Sequence, residues 1–173
     1  VVVVTHNAYW FRGSPSPWGD ARREGHPLVI DQLTALYGDL GADILCLQEV
    51  PSAACAAAIA ERLGMHVAYA PGGMRREYGG AVLSAAAPVD SVDHSGTAIL
   101  PHRCFERICM EARIPILGNG VRVLNLHLSS DRYAPGRHGE PIRLAELQGA
   151  LVHVPDADII VGDLNAVPET PVA

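Results

Sequence analysis

Asp158-Ile159-Ile160-Val161-Gly162-Asp163-Leu164-Asn165 joins an apolar run to a glycine, an acid and an amide in close succession. Three consecutive branched apolar residues predict a buried strand. The glycine lets the backbone bend, and a carboxylate and a carboxamide follow two positions apart. If the extended backbone persists, Asp163 and Asn165 share a side, because side chains alternate along a strand. A carboxylate carried by a strand to the rim of a sheet suits water activation or cation binding. The competing reading is a local Asp-x-Asn turn, since both residues bond readily to their own backbone.

Three other apolar runs end in polar residues of the same kind. Val1 to Thr5 is a continuous β-branched run, which predicts a strand buried on both faces, and it leads into His6-Asn7. Asp43 to Leu47 predicts a second buried strand, leading into Gln48-Glu49. Val121 to Leu128 predicts a third, with His127 near its end. That strand returns from Gly118-Asn119-Gly120, a hairpin turn whose residues accept positive φ. Its partner opens at Arg107, where Ile108, Met110, Ala112 and Ile114 alternate with Cys109, Glu111 and Arg113. Shorter strands are expected at His66 to Ala70, Gly80 to Ser84 and Val89 to Asp93. Taken singly, Asn7 reads as a turn residue, Glu49 as a helix-proximal charge and His127 as a satisfied histidine. Their recurrence at separate strand exits favours a shared site, because converging strand ends on one rim are where layered proteins place ligands.

Helical spacing relates Leu28, Leu33, Leu36, Tyr37 and Leu40, with Gly41 as the stop. A second helix is expected after Ser52 as N-cap, ending at Leu63 before Gly64. A third opens at Pro141, burying Ile142, Leu144, Leu147 and Leu151 while exposing Arg143 and Glu146. Trp10 to Pro27 reads as a long loop carrying Trp10, Phe11, Arg12, Trp18, Arg22 and Arg23. Such a loop could stack a base, rest on a lipid surface, or fold its aromatics underneath itself.

With 173 residues the chain suffices for one domain, 1–173, with a substantial core. A hydrophobic content of 49% and a charged content of 18% exclude a disordered acidic chain. No apolar run approaches the roughly 20 residues of a membrane span. The formal charge of −6 argues against a broad basic face for nucleic acid. It leaves room for a small phosphate site that recruits a divalent cation. None of the four cysteines has C-x-x-C spacing, and Cys104 and Cys109 stand too far apart along an extended strand to bridge readily. Reduced thiols, and a start at Val1-Val2-Val3-Val4 without a basic n-region, are the expectation for a cytoplasmic protein. That start also lacks a Met, so residues are expected ahead of it.

Thr5-His6-Asn7, Leu47-Gln48-Glu49-Val50, Gly80-Ala81-Val82-Leu83-Ser84, Asn125-Leu126-His127-Leu128 and Gly162-Asp163-Leu164-Asn165-Ala166-Val167-Pro168 occur in that order. The series resembles the endonuclease/exonuclease/phosphatase superfamily, which shares its fold with pancreatic deoxyribonuclease. The resemblance implies an α+β fold, a four-layer α/β/β/α sandwich of two packed, mainly antiparallel sheets with outer helices. It implies hydrolysis of phosphate esters with Mg²⁺, or with Mn²⁺ or Ca²⁺ in its place. Nucleic acid, nucleotide, inositol phosphate and phospholipid headgroup are the implied substrate classes. By the same resemblance, Glu49 is the carboxylate that holds the metal, with Asn7 beside it. Asp163 orients or deprotonates the attacking water, and Asn165 binds the phosphoryl oxygens. His127 donates to the phosphate as charge builds, and Arg107 contacts the phosphate. Tyr78, before Gly79-Gly80, falls where substrate contacts are sometimes found.

Members of that family continue beyond the Gly-Asp-x-Asn motif, with further strands and a terminal Ser-Asp-His motif. No Ser-Asp-His occurs here, and Asp93-His94-Ser95 has the wrong order and position. A sheet without its last strands exposes an unpaired edge. The resemblance therefore implies a C-terminally incomplete domain, whose missing segment is a partner that binds back. The alternative is a catalytically inactive binding or scaffold module of the same fold.

Overall fold

The computed structural model describes residues 1–13, 25–86, 89–116, 120–131 and 139–166. The order is β1 (Val3–Asn7), a single 3-10 turn (Tyr9–Phe11), α1 (Pro27–Asp39), β2 (Ile44–Val50), α2 (Ala53–Leu63), β3 (His66–Ala70) and β4 (Gly79–Ser84). It continues with β5 (Asp90–Asp93), β6 (Ala98–Leu100), β7 (Arg103–Cys104), β8 (Cys109–Ile114), β9 (Val121–His127), α3 (Gly139–His153) and β10 (Ile159–Asp163). One sheet runs β1-β2-β4-β3 and the other β10-β9-β8-β5, with β6 and β7 as a separate hairpin. Within the two large sheets the pairs are antiparallel except β1 with β2 and β10 with β9, which are parallel.

Period-2 alternation sorts each strand into two cores. All seven residues of β2 are buried because both its faces are covered. Ile44 and Cys46, with Val82 of β4, meet Met110, Ala112 and Val123 between the sheets. Leu45, Leu47 and Leu83 face outward onto Tyr37 of α1 and Ile59 and Ala60 of α2. On the far side, Cys109, Leu124 and Leu126 pack on Ala150, Leu144 and Leu147 of α3. Each such apolar side chain contributes roughly 1.5–3 kcal/mol on burial, so register is set from both faces of the central strands. The architecture is therefore the four-layer α/β/β/α sandwich, an α+β fold. Among the described residues, no helix is long and apolar enough to cross a membrane.

Local chemistry explains the boundaries. Ser52 caps α2 by accepting from the Cys55 N–H at 3.1 Å, and Gly64 closes it at φ +64°. Gly162 has φ +140°, and a Cβ there would lie 1.9 Å from the Leu126 carbonyl oxygen, so a glycine is required for β10 to lie flush on β9.

Several expectations are corrected. The first strand spans residues 3–7 and is half-buried, with Val1 and Val2 exposed, because β1 lies at the edge of its sheet. Leu28, Leu36 and Leu40 of the α1 stripe face solvent, while Thr34 and Tyr37 are buried. The second strand does not end at Leu47 but runs through Gln48 and Glu49 to Val50. The α3 helix begins at Gly139, two residues ahead of Pro141; Leu144 and Leu147 pack inward as expected, but Arg143 and Glu146 are buried as well, whereas Leu151 is exposed. Both charged side chains find partners inside, and that outweighs their hydrophilicity. The expected strand from Arg107 begins at Cys109, and the β6–β7 hairpin had no counterpart in the apolar pattern. Trp10 and Phe11 of the long loop are buried, which matches aromatics folded underneath. Trp18, Arg22 and Arg23 lie outside the described residues, as do Gly118 and Asn119 of the hairpin turn.

Candidate active site

Each sheet ends on a parallel pair, and the exits of the two pairs meet at one rim. Asn7 closes β1, His127 closes β9 and Asp163 closes β10. Glu49 arrives differently. It sits inside β2 at a register shift between Gln48 and Val50, with φ +54°. A bulge of this kind re-aims a side chain that regular pleating would have sent elsewhere. Among the described residues six non-glycine residues have positive φ, and five of them, Tyr9, Trp10, Phe11, Glu49 and Asn165, lie in the segments that carry this rim. Backbone strain is thus concentrated where the polar groups gather.

The Asn7 amide bridges two carboxylates across the sheets, donating to Glu49 Oε1 at 3.2 Å and to Asp163 Oδ2 at 2.7 Å. Its own oxygen accepts from the Tyr9 N–H. His127 Nε2 lies 3.5 Å from Asp163 Oδ2 and 3.9 Å from Glu49 Oε1. Arg107 Nη1 donates to His127 Nε2 at 2.9 Å and to the Leu128 carbonyl at 2.6 Å, and Nη2 reaches Ser130 Oγ. Its guanidinium lies over the Tyr78 ring, 4.6 Å from the centroid, with His127 edge-on to the same ring.

Asn165 is brought to the rim but not in the expected way. Its φ of +50° breaks the extended backbone, its N–H donates to Asp163 Oδ1 at 2.9 Å, and its Nδ2 donates to the Leu128 carbonyl at 2.9 Å. The local Asp-x-Asn turn is therefore the reading the backbone adopts, and the two side chains do not share a side through regular extension. One Asp163 oxygen builds the Asx turn and the other faces Asn7.

Burial raises the Glu49 carboxyl to about 6. Its bond from Asn7 and the Arg107 charge oppose that rise, while the Asp163 charge adds to it. Glu49 Oε2 is buried without any hydrogen-bond partner. Burial, then the Arg107 charge, holds His127 well below the usual imidazole range. A neutral ring accepting from Arg107 at Nε2 carries its proton on Nδ1, which is buried and unpartnered.

An orphaned carboxylate oxygen beside a second carboxylate is a feature that a cation satisfies. The donors are oxygens, which suits a hard ion, and Mg²⁺ is commonly held by one or two carboxylates with waters completing its shell. Among the described residues, no group of three or more His, Cys, Asp or Glu side chains is arranged to hold a metal ion. The residues therefore fit a partly hydrated ion rather than an all-protein cage. Beside Asn7 a groove of about 920 Å³ opens, lined by residues including His6, Tyr9, Arg12, His26, Leu33 and Leu36.

Gln48 and Asn125 gain a role that their motifs did not announce. Gln48 Nε2 donates to Asn125 Oδ1 at 2.7 Å, and Asn125 Nδ2 donates to the Leu47 and Ala81 carbonyls. This buried amide pair ties the sheets together directly beneath the rim. The signal was available in the spacing: Asn125 stands two residues before His127 on one strand, so both share a face.

The comparisons agree with this fold. The model of the Endonuclease/Exonuclease/phosphatase family matches residues 4–172. Among solved structures the chain is similar to a functionally unknown conserved protein from Enterococcus faecalis V583, at 18% identity and a TM-score of 0.66, covering 98% of this chain and 69% of that one. It is similar to ANGEL2, a 2′,3′-cyclic phosphatase, in complex with adenosine-2′,3′-vanadate, at 22% identity and a TM-score of 0.61, covering 87% and 49%. It is also similar to a humanized D. rerio TDP2, at 17% identity and a TM-score of 0.64, covering 96% and 62%. The chain thus spans about half to two thirds of the length of these structures. No curated protein matches. Identities this low establish the shared fold, and the family match over nearly every residue establishes the rest: the chain belongs to the endonuclease/exonuclease/phosphatase family.

Proposed function

We propose that this domain hydrolyses phosphate esters with a divalent cation, Mg²⁺ in the first instance, held by Glu49 with Asn7 beside it. The observation that carries the reading is the convergence of Glu49 and Asp163, from different sheets, onto one Asn7 amide beside His127 and Arg107. ANGEL2 being a 2′,3′-cyclic phosphatase supports the same class of chemistry.

A phosphate ester repels an anionic nucleophile, so the site must neutralise charge, aim water and steady the leaving oxygen. When bound, the cation supplies Lewis acidity toward a phosphoryl oxygen. Asp163 Oδ2, freed from Asn7, accepts the proton of the attacking water. Arg107 Nη1 and Asn165 Nδ2 already converge on a single oxygen, the Leu128 carbonyl, so a phosphoryl oxygen beside it can be shared between them. Once Arg107 turns onto phosphate, His127 Nε2, 3.5 Å from Asp163 Oδ2, is free to take up the proton that Asp163 accepted and hold it toward the developing charge. The groove beside Asn7 offers space for the remainder of the substrate.

The test is hydrolysis of bis-nitrophenyl phosphate by the 173-residue chain and by the full-length product of its gene. Turnover abolished by EDTA and by Glu49→Gln is expected. Turnover unchanged in Glu49→Gln ends the proposal. The alternative, a binding module without catalysis, is favoured if no form of the protein binds Mg²⁺ or turns over.

A further inference from the structure

Behind the rim lies a second polar cluster. Glu146 of α3 is fully buried and Glu106 nearly so. Glu146 Oε1 accepts from the Glu106 N–H at 2.9 Å, and Oε2 accepts from the Ser129 N–H at 2.8 Å. Glu106 immediately precedes Arg107. Ser129 stands between Leu128 and Ser130, whose carbonyl and hydroxyl receive the two Arg107 Nη groups. One carboxyl group on one helix therefore bolts together the two backbone segments whose separation decides where the Arg107 guanidinium lies.

We propose that Glu146 is a positioning residue, which holds Arg107 against His127 and the Leu128 carbonyl by joining the backbone of Glu106 to that of Ser129. The proposal takes Arg107 as part of the site on the functional reading above, but the contact it explains is present in the fold itself.

The same contacts fix the form Glu146 takes. Ser129 Oγ lies 2.6 Å from Glu106 Oε2 and 2.9 Å from Glu146 Oε1, yet a serine has one hydroxyl proton. Glu106 is ion-paired with Arg75 at 2.8 Å and Arg103 at 3.3 Å, so it is the charged acceptor at the shorter contact. The Glu146–Ser129 contact then needs a proton from Glu146. Its hydrogen bonds run in one direction, from the Glu146 carboxylic acid to Ser129 Oγ and on to the Glu106 carboxylate. Burial raises the Glu146 pKa and the Glu106 charge pushes the same way, against the bonds from the Glu106 and Ser129 N–H groups. Arg143, the other buried charge of α3, is directed to the Ser129 carbonyl and to Asp131 rather than to Glu146.

Arginine-labelled ¹⁵N NMR of the chain, with the Arg107 signals identified by Arg107→Lys, tests this without requiring turnover. Resolved, slowly rotating Arg107 Nη signals are expected in the wild type. They should collapse to an averaged signal in Glu146→Leu while circular dichroism reports a folded protein. A folded Glu146→Leu with unchanged Arg107 signals overturns the proposal; should that variant not fold, Glu146→Asp, one methylene short of both N–H groups, is judged by the same criterion. An infrared band for a buried carboxylic acid at neutral pH, lost in Glu146→Gln, is expected as well, and a wild type without it refutes the protonated form. In the active full-length enzyme, Glu146→Leu should lower kcat/KM at least tenfold, and add less than twofold to the loss already caused by Arg107→Ala. Full additivity also overturns it. An inactive enzyme bears on the functional reading alone.

Discussion

Glu49 and Glu146 are both buried carboxyl groups, and burial raises the pKa of both, yet they are surrounded in opposite ways. Glu146 has both oxygens occupied, by two backbone N–H groups and a serine hydroxyl. Glu49 has one oxygen on the Asn7 amide and the other on nothing. It also sits on a bulge at positive φ, whereas Glu146 sits within a regular helix. Desolvation by itself does not mark a site. A desolvated acid with unfilled lone pairs, on strained backbone at a rim shared by two sheets, does. On the proposed function the first glutamate is the one that takes the cation, and the second is a positioning bolt.

Activity should separate the two most sharply. Glu49→Gln and Asp163→Asn are expected to lower turnover of the full-length enzyme by about a hundred- to ten-thousandfold, the scale of lost acid–base or charge-stabilising help. Glu146→Gln should stay within a few-fold of wild type, as steady-state kinetics on all three will show. Stability should separate them in the reverse sense. Glu146→Leu strands two buried N–H groups and should destabilise by about 2–6 kcal/mol, read from denaturant midpoints.

A milder expectation concerns the amide pair between the two glutamates' surroundings. Asn125→Leu removes the Gln48 acceptor and the Asn125 bonds to the Leu47 and Ala81 carbonyls, at about 2–3 kcal/mol. A loss well below that would mean water replaces the pair.

The smallest effect is a gain. The Glu49 carboxyl stands at about 6 in the fold against 4.5 as reference, a shift worth about 2 kcal/mol. Below about pH 4.5 both states are protonated and nothing is lost. As pH rises through 6 the folded state must hold an unwelcome charge, so stability falls. With chelator at pH 8, Glu49→Gln should therefore be about 2 kcal/mol more stable than wild type, and the gap should vanish at pH 4. A melting series across that range checks it. Added Mg²⁺ should close the gap from the other side by stabilising the wild type alone.

Most of the layered fold was legible because strands buried on both faces read as unbroken apolar runs, as at Ile44 to Leu47, and because Ser52 and Gly64 punctuate α2 unambiguously. The rim was legible as residue types at strand ends. Its geometry was not: the bulge that turns Glu49 inward and the left-handed Asn165 depend on pairing partners far along the chain. The burial of the two charged side chains of α3 was illegible for a related reason. A helix read alone sends Arg143 and Glu146 to water, and only the tertiary neighbours at Ser129 and Glu106 make their burial favourable.

Calorimetric titration of Mg²⁺ into wild type, Glu49→Gln and Glu146→Gln at neutral pH tests the central contrast most directly. Binding to wild type and Glu146→Gln, with none to Glu49→Gln, is the result this account requires. Equal binding by all three, or its loss in Glu146→Gln alone, would contradict it.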